Sequence, residues 1–202
     1  MTGRREQNKD DKRRRIRDAA WRLFGELGYD GATTKAIAKA AGIASGTLFL
    51  YARDKSTLLF LLFHEELTRI SDERAASLPQ GAPLVDQLVH LFGGFYERYE
   101  SSPELARRFA HEILRLDGDK KAAYDDLNRR FFARLVGVLE RGRERGLVAP
   151  GVNTGISALN LFAIYGFQVL TWLDQPHPVA AHGITALRIA FEQVAIGLSP
   201  RG

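Results

Sequence analysis

A chain of 202 residues, 45% apolar and 26% charged, is long enough for one large domain or for a small module on a larger body, and too short for a multi-domain machine. With no cysteine it has no disulfide framework, thiolate metal site or catalytic thiol. Its net charge of +5 is uneven: residues 1–17 carry eight Lys and Arg against three Asp and Glu, residues 1–55 sum to +6 and residues 56–202 to −1, which suggests a polyanion-binding module followed by a body with another task.

The basic segment MTGRREQNKDDKRRRIRD lacks the apolar stretch of a secretory signal, so the expected location is cytoplasmic. Residues 1–12 read as a basic, flexible arm. Ile16, Ala19, Ala20, Leu23, Phe24 and Leu27 then recur at steps of three and four and paint one apolar stripe on a helix that Gly28 closes. Thr33 and Thr34 offer a hydroxyl amino cap for a short second helix ending at Gly42. Ser45 is the expected cap of a third, and Asp54 of a fourth running from Lys55 to about Ser71. The apolar run Leu58 to Phe63 predicts that this fourth helix is packed on more than one side.

After the linker Leu78 to Pro83, Leu84, Leu88, Leu91, Phe95 and Tyr99 mark a fifth helix, and Leu105, Phe109 and Ile113 a shorter sixth from Ser102 or Pro103 to about Leu116. A seventh runs from about Lys120 to Arg145 on Tyr124, Leu127, Phe131, Leu135 and Val138. From Gly146 to Leu173 no residue is formally charged. A turn at 149–153 and the polar residues Ser157, Asn160, Gln168 and Thr171 favour an interior or subunit-contact helix over a membrane span for Thr154 to Trp172. The last helix runs from near Val179 to Gly197. No strand pattern or repeat occurs, so the fold class is all-α with about nine helices.

The chemistry sits in Thr34 to Tyr51, TKAIAKAAGIASGTLFLY. Two short helices crossing around a brief turn need a small residue at the crossing, a glycine in the turn and apolar anchors. Ala38, Gly42 and the set Ile37, Ala41, Ile43, Leu48 and Tyr51 supply them. An αα-hairpin without a DNA role shares this packing; the basic segment upstream favours a DNA-binding helix-turn-helix. Residues 13–54 are the expected DNA-binding domain and 55–202 a helical effector-binding and dimerisation domain.

Residues Gly28 to Leu58, GYDGATTKAIAKAAGIASGTLFLYARDKSTL, closely resemble the tetracycline-repressor-like (TetR) family of transcriptional regulators in their Thr-Thr start, Ile-Ala-Ala-Gly turn, Ser-x-Gly-Thr-Leu recognition helix and Lys-x-x-Leu entry to helix four. Phe49 departs from the family at a position where a tyrosine often contacts phosphate, and Ala52 where an aromatic is common. The resemblance implies that the third helix enters the major groove and that Thr33, Thr34, Lys35, Tyr51 and Lys55 lie at the DNA, the last four of them on backbone phosphates. The groove-facing candidates Ala44, Ser45, Gly46, Phe49 and Leu50 include no side chain able to read a base edge bidentately, so apolar contact with thymine methyls, Ser45 and DNA shape are the expected readers. Lys9, Lys12, Arg13, Arg14 and Arg15 reach the minor groove, add counterion-release affinity, or are simply solvated.

The resemblance further implies a homodimer through the last two helices, and an effector pocket at Phe92, Phe95, Tyr96, Tyr99, Phe109, Phe131, Phe162 and Tyr165 that releases DNA when an apolar or aromatic small molecule binds. Repression is the sign the family favours. Two alternatives remain, an effector-independent architectural DNA binder and an all-α enzyme. Against the enzyme, His64, His90, His111, His177 and His182 are scattered, no two-histidine zinc motif is complete, and no phosphate loop or nucleophile elbow occurs. No cofactor or metal is expected.

Overall fold

The computed structural model describes residues 2–200 as nine α-helices and their connections; Met1, at the start of the expected arm, lies outside the described residues, as do Arg201 and Gly202. The helices are α1 (Thr2–Gly31), α2 (Thr34–Ala40), α3 (Ser45–Tyr51), α4 (Lys55–Ala76), α5 (Leu84–Glu100), α6 (Pro103–Ile113), α7 (Gly118–Glu144), α8 (Thr154–Leu173) and α9 (Ala180–Leu198). They fall into two compact units. One holds Met1–Glu65 with Glu104–Leu116, the other Glu66–Pro103 with Asp117–Gly202. The division therefore lies inside α4 and assigns α6 to the amino-terminal unit, whereas the sequence suggested a division at residue 54.

Several helix ends are where local chemistry puts them. Gly28 adopts φ 69° and breaks α1 there, so the stretch to Gly31 is a separate turn. Thr33 Oγ1 accepts from the Ala36 amide at 3.1 Å and Asp54 Oδ1 from the Thr57 amide at 2.6 Å, so both expected caps are made. Ser45 is not a cap: Ala44 occupies that position without a side-chain hydrogen bond, and Ser45 is the first helical residue. Residues 2–12 continue α1 as helix.

In the amino-terminal unit Ile16, Ala19, Ala20, Leu23 and Phe24 are buried, but Leu27 is 53% exposed, because the chain leaves the helical path at Gly28 before that stripe can close. Ile37, Ala38, Ala41 and Leu48 carry the packing of α1 on α2 and of α2 on α3. Leu58, Leu59, Phe60, Leu62 and Phe63 of α4 are buried around the helix, and Phe63 stacks on Phe109 of α6 at 4.6 Å and meets Trp21 edge-on at 5.2 Å.

The second unit packs α5 against α9 and α7, with α8 against α7 and α9. Gly183 of α9 lies on Tyr96 of α5 so closely that a Cβ there would stand 2.5 Å from the ring. Asp86 of α5 pairs with Arg188 of α9 at 2.5 Å, and Glu100 accepts the Ala180 amide at the start of α9, where an anion suits the helix dipole. The Leu198 carbonyl takes the Ala149 amide at 2.8 Å, which ties the α7–α8 turn to the end of α9.

Candidate nucleic-acid interface and effector region

The α2–α3 turn is built by Gly42. At φ 64° its amide donates to the Lys39 carbonyl and the Ile43 amide to the Ala38 carbonyl, the paired bonds that close a helix through a left-handed residue. Leu48 anchors α3 at 1% exposure. The opposite side presents Ala44, Ser45, Gly46, Phe49 and Leu50, all exposed, with Phe49 at 53% and Leu50 at 91%. An almost fully exposed leucine beside an exposed phenylalanine has no role in the fold of this unit, so the face has the form of a contact surface. Thr33 and Lys35 are exposed and Thr34 half-exposed at the start of α2.

Two of the expected phosphate contacts are occupied within the protein. The Tyr51 hydroxyl donates to Glu65 Oε1 at 3.1 Å, and burial together with the Glu65 charge pushes its pKa far up. The Lys55 ammonium donates to the carbonyls of Tyr29 at 2.7 Å, Ala32 at 3.2 Å and Asp30 at 3.3 Å, and lies 4.4 Å from the Tyr29 ring centroid. Three donors meet three acceptors, which leaves it no free N–H. Arg108 of α6 stands 4.9 Å from the same ring centroid, and its ion-pair partner Glu112 accepts from Ser56. Sequence reasoning missed this cluster, because residues 29, 55 and 108 carry no spacing that relates them.

Sequence reasoning also passed over Arg17. Arg13 and Arg17 act electrostatically on Tyr51, and an Arg15 Nη1 lies 3.4 Å from where a Gly42 Cβ would be, so these α1 cations border the helix-turn-helix. Arg13, Arg14 and Arg15 also make exposed ion pairs with Asp10 and Asp11 in their own helix, contacts of small energetic weight.

In the second unit the expected effector residues do converge, with one exception. Phe92 meets Phe131, Tyr165 and Phe191 at ring separations of 4.9, 4.6 and 5.4 Å. Phe95 touches Phe131 and Tyr165, Phe162 the same two, and Tyr96 packs on Tyr165 and Trp172. Tyr99 and Tyr165 share a hydrogen bond between hydroxyls, and burial holds both well above the ordinary tyrosine pKa. The exception is Phe109, which belongs to the amino-terminal unit and stacks on Phe63. Its helical spacing marked an inward face and gave no sign of which core that face joins. Two polar atoms here are buried without a hydrogen-bond partner, Tyr96 Oη and Gln168 Oε1. Among the described residues no group of three or more His, Asp or Glu could hold a metal.

A short helix-turn-helix with an exposed second helix, carried on an all-α chain, has the arrangement of the DNA-binding helix-turn-helix proteins. Residues 16–62 match the description "Bacterial regulatory proteins, tetR family". The chain is 24% identical over 183 residues to the fatty acid metabolism regulator protein of Bacillus subtilis (strain 168), covering 90% of this chain and 94% of that one. Among solved structures it is similar to Thermus thermophilus FadR, a TetR-family repressor in complex with lauroyl-CoA, with 26% identity, TM-score 0.70, and 94% and 96% of the two chains covered. It also shares its fold with Bacillus subtilis FadR in complex with stearoyl-CoA, with 23% identity, TM-score 0.71, and 91% and 97% covered. The amino-terminal segment of the chain thus matches the tetR family of bacterial regulatory proteins, and the chain as a whole has the fold of the tetR-family repressor of Thermus thermophilus.

Proposed function

We propose that the protein is a ligand-responsive repressor that binds a near-palindromic operator as a homodimer and releases it when an apolar-chain effector of the acyl-coenzyme A class binds in the second unit. The exposed face Ala44, Ser45, Gly46, Phe49 and Leu50 of α3 carries the reading. It is a protruding surface with no acidic residue, bordered by α1 arginines, and suits the major groove of a polyanion. Thr33, Thr34 and Lys35 contact backbone phosphates, whereas Tyr51 and Lys55 act by holding α1, α3 and α4 in place. Sequence is read by thymine methyls against Phe49 and Leu50, by Ser45, and by DNA shape.

The dimer is supported by α8 and α9. Ile156, Leu159, Phe167 and Leu170 of α8, and Ile189 and Ile196 of α9, are exposed and recur at helical spacing opposite the buried faces of their own helices. Helix α8 is also the only one of the described helices long and apolar enough to cross a membrane. Asn160 and Thr171 lie exposed beside those apolar residues, which suits a second protein copy better than lipid, and a cytoplasmic location goes with the operator-binding role. The effector class is supported by the aromatic region around Phe92 and by the acyl-CoA complexes of the two similar FadR proteins.

The test is a mobility-shift titration of purified protein on a library of double-stranded fragments. The expected result is selection of an inverted repeat, two chains per site, and loss of the shifted band on adding lauroyl-CoA. Failure to retard any fragment at low salt would overturn the reading.

A further inference from the structure

One face of α7, with the end of α4, the α4–α5 connection and Leu91 of α5, borders an open groove of about 370 Å³ that has no aromatic residue in its lining. Its floor is apolar, from Ala75, Leu78, Leu91, Ala133 and Val138, and Gly137 opens it midway along α7. Its polar wall is made by Arg134, Arg141 and the segment at Gln80.

The arginines along this wall are not equivalent. Arg134 is committed to Ser71 and Asp72. Arg145, one turn beyond Arg141, donates to the Gln80 carbonyl at 2.8 Å and fixes the connection. The side chain of Arg141, which is exposed, makes no hydrogen bond or ion pair among the described residues, and one of its terminal nitrogens lies 3.3 Å from where a Gly137 Cβ would stand, so its guanidinium rests across the opening that the glycine leaves. A planar cation whose five donors have no partner within the protein, beside Arg134 and Arg145, is a site for a carboxylate or phosphate. The apolar floor next to it suits a hydrocarbon chain, and the volume lies within the range of small-molecule sites, about 300–1,000 Å³.

We propose that this groove binds an amphipathic anion, with the acidic head on Arg141 and the alkyl chain along Leu78, Leu91 and Val138. The binding itself is independent of the operator reading; only its regulatory consequence rests on it. Gly137 is required as an absence of side chain: a leucine there fills the groove at small cost to the fold, since the atom it displaces is the far end of a flexible arginine and glycine is a poor helix former.

The experiment is isothermal titration of the full-length protein with four ten-carbon probes: decanoate, decyl phosphate, decanol and decyltrimethylammonium. Both anions should saturate at one site per chain, and the two anionic arms separate a carboxylate from a phosphate ligand by affinity. Decanol and the ammonium should bind at least about tenfold more weakly, the scale of a charge-assisted contact. Arg141→Glu and, separately, Gly137→Leu should each weaken anion binding by about tenfold or more while helix content and the unliganded unfolding midpoint are kept. Absence of saturable anion binding, equal binding of all four probes, or anion binding untouched by both substitutions would overturn the proposal. Operator retardation measured on the same preparations separates the two readings: its loss in the unsubstituted protein counts against the repressor and not the groove, and missing anion binding beside intact retardation counts against the groove alone.

Discussion

Lys55 holds the end of α1 from the first turn of α4, its ammonium on the Tyr29 carbonyl at 2.7 Å and 4.4 Å from the centre of the Tyr29 ring. The carbonyls of Tyr29, Asp30 and Ala32 follow the break at Gly28 and are satisfied by one cation, which also suits the negative end of a helix dipole. Lys55→Met therefore should destabilise the protein by about 2 kcal/mol in urea unfolding, the weight of charged hydrogen bonds at a half-buried site. It should leave the slope of log binding constant against log salt nearly unchanged, whereas Lys35→Met should reduce that slope by about one phosphate equivalent at little cost in stability. Equal slope losses in both variants would return Lys55 to the DNA.

How much of this was legible in the sequence depends on the range of the interaction involved. Gly28, Gly42, Thr33 and Asp54 act within a few residues, and the turns and caps read from them are present. Leu27 fits the apolar stripe of α1 yet is exposed, because a period identifies a face and not where the chain departs from the helical path. Phe109 is buried as its spacing implies, but against Phe63, in a core that no local signal could name. The occupation of Tyr51 by Glu65 and of Lys55 by the Tyr29 segment joins residues 14 to 26 positions apart, which a single sequence does not relate.

All six tyrosines are held above their ordinary pKa, in each case chiefly by burial, which disfavours the phenolate. With the folded pKa raised, the unfolded chain loses protons first as pH climbs past about 10, so stability is fully present below that value and falls above it. Each such tyrosine contributes about 1.4 kcal/mol of loss per pH unit until its folded pKa is reached. The expected alkaline titration is one cooperative step above pH ~10 in which tyrosinate absorbance and loss of helical circular dichroism coincide. Several tyrosines ionising near pH ~10 with the helix signal intact would contradict the packing around Tyr96, Tyr99 and Tyr165.

Gly183 admits Tyr96 because nothing occupies the position of its Cβ, which would stand 2.5 Å from the ring. Alanine there should cost about 1–3 kcal/mol despite its better helix propensity, as overpacking does in a closed core. Phe92→Ala, removing a ring shared by Phe131, Tyr165 and Phe191, should cost about 3–5 kcal/mol. Chemical denaturation measures both, and a stabilising Gly183→Ala would show that α5 and α9 are less closely packed.

Leu50 is 91% exposed and Phe49 53%, so neither does much for the fold. Leu50→Ala should change stability by less than about 0.5 kcal/mol, the usual range for an exposed position. On the operator it should weaken binding and relax the preference for thymine at one position per half-site, and uracil in place of that thymine should weaken the unsubstituted protein and not the variant. Equal affinity for thymine and uracil operators would remove methyl contact as the means of reading.

Phe167 on α8, 70% exposed, and Ile196 on α9, 69% exposed, lie on the apolar faces that the second unit leaves uncovered. A stable interface of ordinary size buries about 1,600 Å² in total, and its centre tolerates an unpaired carboxylate poorly. The double substitution Phe167→Glu, Ile196→Glu should therefore give a folded monomer in sedimentation analysis with helix content retained, since both side chains are free of the monomer core. Because one short helix-turn-helix covers only a half-site, the monomer should bind a single half-site as the parent chain does when diluted, and lose the added affinity for the inverted repeat. If the doubly acidic variant stays dimeric, or keeps full operator affinity as a monomer, α8 and α9 are not the subunit contact.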